Sequence, residues 1–304
     1  MKPALSVIFF TVSSGAGLGL LVWLLIASLM ADHIRMDGET FYKGALIAGL
    51  FITASLVSST LHLANRKNAI YSLTRIKTSW LSREGLLAIL LYPLAALHLA
   101  ALHFGWPHIT PITLWLLIAD AISILFCTGM IYGCLRTIPR WNTWMTPSKY
   151  VLFGLMSGAV LLPGALSLRP PEVGPVGKPM VAIFLLALGL ALYLAYLLKH
   201  PRVQHTINDA LGFKQGNVRL LDVGHSHGTF LTNEFGFLVA REKARMLRWM
   251  AILCGFVLPI LLCYFTKWFW LASFVCIAGL LVERWLFFAE AEHVVRLYHG
   301  QQRV

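Results

Sequence analysis

A histidine and a glutamate, His62 and Glu84, stand 22 positions apart at the two ends of a basic segment that connects apolar blocks. Both fall where a polypeptide crossing a bilayer reaches its aqueous edge, on neighbouring antiparallel helices, so the separation in sequence can close into side-chain proximity. Interconverting a quinone and a quinol moves protons together with electrons, and a titratable imidazole beside a carboxyl suits that task. The pair also has a plainer reading. Interfacial His and Glu cap helices or reach for water, and a glutamate at a helix start is favoured by the helix dipole.

Three other groups could carry chemistry. Asp120 lies nine residues into an apolar block, about 14 Å deep along a helix, where an ionised carboxylate is costly, so it is expected to be protonated or paired. It is a candidate intramembrane proton or packing site. Glu283 and Arg284 sit near the end of the last apolar block and are expected to pair with other helices or to snorkel; a secondary transporter using Asp120 and Glu283 as coupling groups is the alternative function for this chain. The run GHSHGTFLTNEFGF, with Asp222 before it, holds His225, His227 and Glu234, which are metal-ligand types. An H-x-H spacing is unspecific, however, and the glycines fit a folded partner-contact loop better than a metal site. The SSGAGLG run at Ser13 to Gly19 is no dinucleotide fingerprint, because it lies inside an apolar helix; its small residues suit close helix packing or ligand approach.

The elements that position these groups follow from composition. The chain has 304 residues, of which 58% are hydrophobic and 12% charged, with a mean hydropathy of +0.72. A soluble domain carries about 25% charge, so a water-soluble globule is excluded. The apolar residues fall into eight blocks, Leu5 to Met30, Gly44 to Ala64, Gly85 to Leu102, Pro111 to Leu135, Tyr150 to Leu168, Pro179 to Leu198, Trp249 to Phe265 and Trp268 to Phe288. Each is about long enough to span the hydrocarbon as a helix, and helices satisfy every backbone polar group where water is absent. The expected fold is an all-α integral membrane protein, an eight-helix transmembrane bundle forming a single domain over residues 1–304, with a hydrophilic loop at about 199–248. The first block is too long for a signal peptide and is expected to be retained. Pro163 and Gly164 are expected to kink the fifth span, and Trp141, Trp144, Trp268 and Trp270 to form interfacial belts.

Charge sets the orientation. Nineteen of the 25 Lys and Arg collect on one face and five on the other, with Arg284 inside the last span. The positive-inside rule then places both termini in the cytoplasm. The formal net charge of +12 is explained by this topology and by anionic lipid, and needs no nucleic acid. Cys127, Cys134, Cys254, Cys263 and Cys276 all fall in apolar blocks without C-x-x-C spacing, so they read as packing residues and not as ligands of an iron–sulfur cluster or zinc. His98 and His62 lie at different depths, which argues against a haem held between them. No haem, cluster or metal is expected in this chain, and on its own it is expected to be non-catalytic.

Four motifs carry a resemblance that covers nearly the whole chain. The Leu61–Leu63 LHL run, the SWLSRE lead into the third span, IPRWN at Ile138 to Asn142 and FLTNEFGF at Phe230 to Phe237 resemble the dimethyl sulfoxide reductase membrane-anchor family. That resemblance implies a membrane anchor and quinone-binding subunit of a molybdopterin oxidoreductase, either sulfoxide-reducing or sulfite-oxidising. It implies a molybdopterin catalytic subunit and an iron–sulfur subunit as partners, and menaquinone or ubiquinone as the exchangeable substrate. It places His62 and Glu84 at the quinol site. Some relatives have a basic residue six positions beyond the histidine; here that position is Asn68, and Arg66, Lys67 and Arg83 are the auxiliary candidates. His225, His227, Asn233 and Glu234 are the expected partner-docking residues.

Overall fold

The computed structural model describes residues 3–30, 36–62, 71, 73–168, 177–199, 206–216, 218–219, 221, 239–299 and 302–303, with the side chains of 61, 62 and 239–242 outside the description. Its helices are α1 (Leu5–Leu29), α2 (Gly38–His62), α3 (Trp80–His103), α4 (Ile109–Gly133), α5 (Met145–Leu166), α6 (Met180–Lys199), the short α7 (Ile207–Leu211), α8 (Val239–Ile252), α9 (Leu258–Phe265) and α10 (Phe269–Ala289). Among the described residues β-pairing is limited to an isolated bridge between Thr206 and Arg303. Among the described residues eight helices are long and apolar enough to cross a membrane, the seventh being the continuous stretch Lys243–Phe265. The all-helical eight-span expectation is met.

Several helices begin earlier than their apolar blocks. α2 starts at Gly38 and carries an exposed Glu39–Lys43 ion pair at 2.7 Å, α3 starts at Trp80 behind the Ser79 cap, and α8 starts at Val239, ahead of the expected Trp249. Glu39 and Lys43 in α2 and Arg83 in α3 still reach water, so hydropathy underestimates helix length. α5 starts at Met145 for a different reason. Lys149, which reads from sequence as a loop cation, lies fully buried inside the helix.

α1 is the axis of the bundle and packs against α2, α4, α5 and α10. Its glycines set the closest approach. A Cβ on Gly19 would stand 1.9 Å from the Gly154 carbonyl oxygen of α5, and one on Gly158 would stand 2.0 Å from the Gly19 carbonyl carbon. Gly15 and Gly19 thus mesh with Gly154 and Gly158, a small-xxx-small contact on both helices. The expectation that the SSGAGLG run serves close packing is met. On the far side Gly279 of α10 meets Gly255, where a Cβ would come within 2.0 Å of the Gly255 nitrogen.

Gly255 sits in a π-helical turn, Leu253–Val257, that joins α8 to α9. Pro259 has no N–H to give back to the Gly255 carbonyl, and the Cys276 thiol donates to that oxygen instead at 3.5 Å. In the fifth span the helix runs unbroken through Pro163, and Gly164 leaves room for the Trp270 ring at 3.1 Å from the position a Cβ would take. Trp144, Trp268 and Trp270 are exposed as belt residues should be. Trp141 is not. It is buried, donates its indole N–H to the Phe287 carbonyl at 3.0 Å and stacks on the Phe287 ring, closing the end of α10. Cys134 also departs from the expectation, lying just past α4 and exposed.

Candidate functional site

α3 begins where Ser79 accepts the Ser82 N–H, and two residues later Glu84 points inward, 5% exposed. It meets α4, where the Thr128 hydroxyl is hydrogen-bonded to Glu84 Oε1. The same hydroxyl lies 2.9 Å from the Ile124 carbonyl oxygen one turn back. A hydroxyl has one proton and can also accept. Facing a carboxylate, Thr128 donates to Glu84. Facing a carboxylic acid, it accepts from Glu84 and turns its own proton to Ile124. Either form of Glu84 is satisfied without moving a helix, so the buried group escapes the cost of an unpaired polar atom.

The other candidates of this region divide into those the structure describes and those it does not. His62 is the last residue of α2, at the end of the bundle where α3 begins, and its side chain is outside the description. Arg66 and Lys67 lie outside the described residues, as do His225, His227, Asn233 and Glu234. Arg83 is engaged locally. Its guanidinium donates to the Ile76 and Lys77 carbonyls at 2.9 and 2.8 Å and stacks 4.2 Å from the Trp80 ring, pinning the turn that leads into α3. Asp120, midway along α4, is half-buried, and its Oδ2 has no hydrogen-bond partner among the described residues.

Glu283 and Arg284 do not snorkel. Lys149 Nζ of α5 stands 2.6 Å from Glu283 Oε1, and Arg284 reaches the other carboxylate oxygen at 3.5 Å, with all three side chains at 4% exposure or less. Two cations share one carboxylate, and aromatic faces take up the remainder: Lys149 lies 3.8 Å from the Tyr196 ring centre and Arg284 3.8 Å from that of Tyr150. Near the same end of the bundle Glu290 accepts from Arg248 at 2.7 and 3.0 Å and also pairs with Arg140, tying α8 to the IPRWN turn. Burial works against the charge on Arg140, but the Glu290 carboxylate together with Tyr196 and Tyr193 outweighs this and raises its pKa.

Sequence reasoning missed Thr128, Lys149 and Glu290. A usable signal existed for Lys149, since a glutamate inside an apolar span demands a buried cation on another helix. Thr128 gave none, because threonine is common in membrane helices as a back-bonding residue. Among the described residues no three His, Cys, Asp or Glu side chains converge as a metal site.

Comparison with known proteins agrees with this architecture. The family model described as DMSO reductase anchor subunit (DmsC) matches residues 1–289. The C subunit of sulfite dehydrogenase from Allochromatium vinosum is 32% identical over 98% of this chain and 99% of its own length. The C component of the anaerobic dimethyl sulfoxide reductase of Haemophilus influenzae is 23% identical over 62% of this chain and 71% of its own, and that of Escherichia coli 28% over 50% and 54%. No solved structure gives a significant match. With eight apolar spans and homologues of this kind, the protein is a multi-pass protein of the bacterial inner membrane, and it belongs to the DMSO reductase membrane-anchor family.

Proposed function

We propose that this anchor subunit also holds the quinone site of its complex, with Glu84 and His62 moving the protons. The observation that carries the reading is the Glu84–Thr128–Ile124 relay. A group that must be protonated in one half of a cycle and ionised in the other needs a surrounding that accepts both, and a hydroxyl able to reverse its role provides it. Oxidising a quinol releases two protons and two electrons for each molecule. One proton passes to Glu84 and one to His62, at the same end of the bundle. The electrons leave to an iron–sulfur partner subunit, and from it to a molybdopterin subunit that works on a sulfoxide or on sulfite; reduction of quinone runs the steps backwards.

Both termini and the loop at about 199–248 lie in the cytoplasm on this reading, and the partner docks on that basic face, where charge steers its approach. The Lys149–Glu283–Arg284 cluster weighs against a transporter that uses Glu283 as a coupling group, because a carboxylate held between two cations is poorly placed to exchange its counter-ion.

The test is quinone-linked turnover of the intact complex in membranes. Glu84→Gln and His62→Ala should each lower it by about 100-fold or more, the usual contribution of a positioned proton-transfer group. Turnover with a soluble electron dye that bypasses the membrane subunit should stay unchanged, as should assembly. Thr128→Val, which leaves Glu84 without its reversible partner, should give a smaller loss in the same assay. Full quinone-linked turnover in Glu84→Gln and His62→Ala complexes that assemble normally would overturn the assignment.

A further inference from the structure

At the opposite end of α3 from Glu84 lies a second polar contact that the Glu84–His62 proton path does not use. His98 is 2% exposed, and its Nδ1 is 2.8 Å from Thr113 Oγ1 of α4. The Thr113 hydroxyl also reaches the Ile109 and Thr110 carbonyls at 2.9 and 3.0 Å. With its single proton turned to one of these carbonyls, as threonine in a helix commonly holds it, Thr113 accepts from His98, and the imidazole then carries its proton on Nδ1. Nε2 is then a bare acceptor. It is buried and has no hydrogen-bond partner among the described residues.

His98 lines a cavity of about 520 Å³ between α2 and α3. The volume lies in the usual range for a small-molecule site, about 300–1,000 Å³. α2 packs on α1 and α3 on α4, while the cavity fills the space between α2 and α3 with Phe41, Ala48, Gly49 and Ala95 on its walls. Leu46 and Leu50, also at the cavity, are 64% and 61% exposed, so the mouth faces lipid. At the cavity's exposed rim Thr53 and Tyr92 satisfy each other at 3.0 Å. A lone water would find one partner on Nε2 where it needs two or more, and an acyl chain has no donor to offer.

We infer that this cavity is a second quinone-pool site, selective for the reduced ring: a hydroquinone hydroxyl donates to His98 Nε2, and the isoprenoid tail leaves between α2 and α3 into the bilayer. The ligand class rests on the quinone function proposed for Glu84 and His62, but the site is separate. Fourteen residues of α3 part His98 from Glu84, about 21 Å along the helix, so the two lie in opposite halves of the membrane. On the positive-inside orientation His98 faces the outer half.

The experiment is photolabelling of the intact complex in phospholipid nanodiscs with a diazirine-bearing short-chain quinol, followed by peptide mapping. Label is expected on residues 41–53 and 91–99. His98→Leu should lower it about fivefold, as should use of the oxidised quinone, which has no proton to donate. A Cβ on Gly49 meets nothing within 4 Å, so Gly49→Phe projects into the open cavity and should abolish the label without touching His98. Thermal unfolding and partner retention check that both variants fold, and if Gly49→Phe fails that check the His98→Leu and redox arms decide alone. Label confined to the end of α2 and the start of α3 would overturn this site while leaving the Glu84 assignment intact. Label at 41–53 and 91–99 in a complex whose turnover ignores Glu84→Gln would do the reverse. Equal labelling by both redox forms that His98→Leu does not change would also refute the proposal, as would recovery of phospholipid alone from the cavity.

Discussion

The Lys149–Glu283–Arg284 cluster makes an asymmetric prediction. At an effective dielectric of about 20, the 2.6 Å Lys149–Glu283 pair carries about 6 kcal/mol of direct attraction, most of it offset by the cost of taking both ions out of water. Glu283→Gln removes the one anion and leaves two buried cations on facing helices. Breaking a buried pair in this way costs about 3–5 kcal/mol. Lys149→Met removes one of two cations instead. Glu283 keeps Arg284 at 3.5 Å, the cluster becomes neutral, and methionine follows the path of the lysine stem among Phe153, Tyr193 and Tyr196. That change should cost less than Glu283→Gln, about 1–3 kcal/mol, since Glu283 Oε1 loses its hydrogen bond but the carboxylate keeps a cation beside it. The double variant should be more stable than Glu283→Gln alone, because the apposed cation has gone. Equilibrium unfolding of the purified protein in lipid–detergent micelles measures all three, and a double-mutant cycle extracts the coupling. Equal losses for the two single variants, or a larger loss for Lys149→Met, would refute the account of one anion holding two cations.

Two further outcomes follow from the packing and the charge pattern. Gly158→Ala places a Cβ 2.0 Å from the Gly19 carbonyl carbon, so α1 and α5 must move apart; the variant should lose about 1–3 kcal/mol or fail to insert stably, whereas Gly49→Ala, which meets nothing within 4 Å, should be neutral or slightly stabilising in the same unfolding assay. Protease added to right-side-out vesicles should leave the loop at about 199–248 intact and should cut it in inverted vesicles; cleavage from outside would reverse the orientation and move the docking face with it.

The number of spans and their order were legible in the sequence because bilayer thickness imposes a length and backbone satisfaction imposes a helix. Their starts were not, since a hydropathy block ends at the first charge while a helix continues through any charge that can reach water or a partner. Lys149 shows the sharper form of this failure. A lysine beside an apolar run reads as the edge of the membrane, and only the position of Glu283 on α10 makes it an interior residue. Trp141 fails for a related reason: tryptophan at an interface prefers a half-wet position, but an open carbonyl at Phe287 drew it inside. Glu84 was visible as a candidate from its place at a helix start. Its partner Thr128 was not, since that contact depends on how α3 is rotated against α4, which no single-helix pattern specifies.

The two halves of the bundle carry polar groups in different ways, and the difference bears on what each can do. On the α5–α10 side, charges are locked: a carboxylate between two cations, roofed by aromatic rings, within helices of which α5 is the most buried, with 78% of its span inside the structure. Such a cluster changes state only at large cost, which suits a fixed support beneath the proposed docking face. On the α3–α4 side, two buried titratable groups each meet a threonine that also reaches a carbonyl of its own helix, Glu84 with Thr128 at one end and His98 with Thr113 at the other. Only 22% of the α3 span is buried, so α3 stands at the lipid-facing rim. Reversible hydrogen bonding and access from the bilayer therefore coincide on one helix pair, while rigidity is concentrated on the other. A lipid-soluble substrate that gains and loses protons needs the first combination, and a subunit that fixes soluble partners to the membrane needs the second.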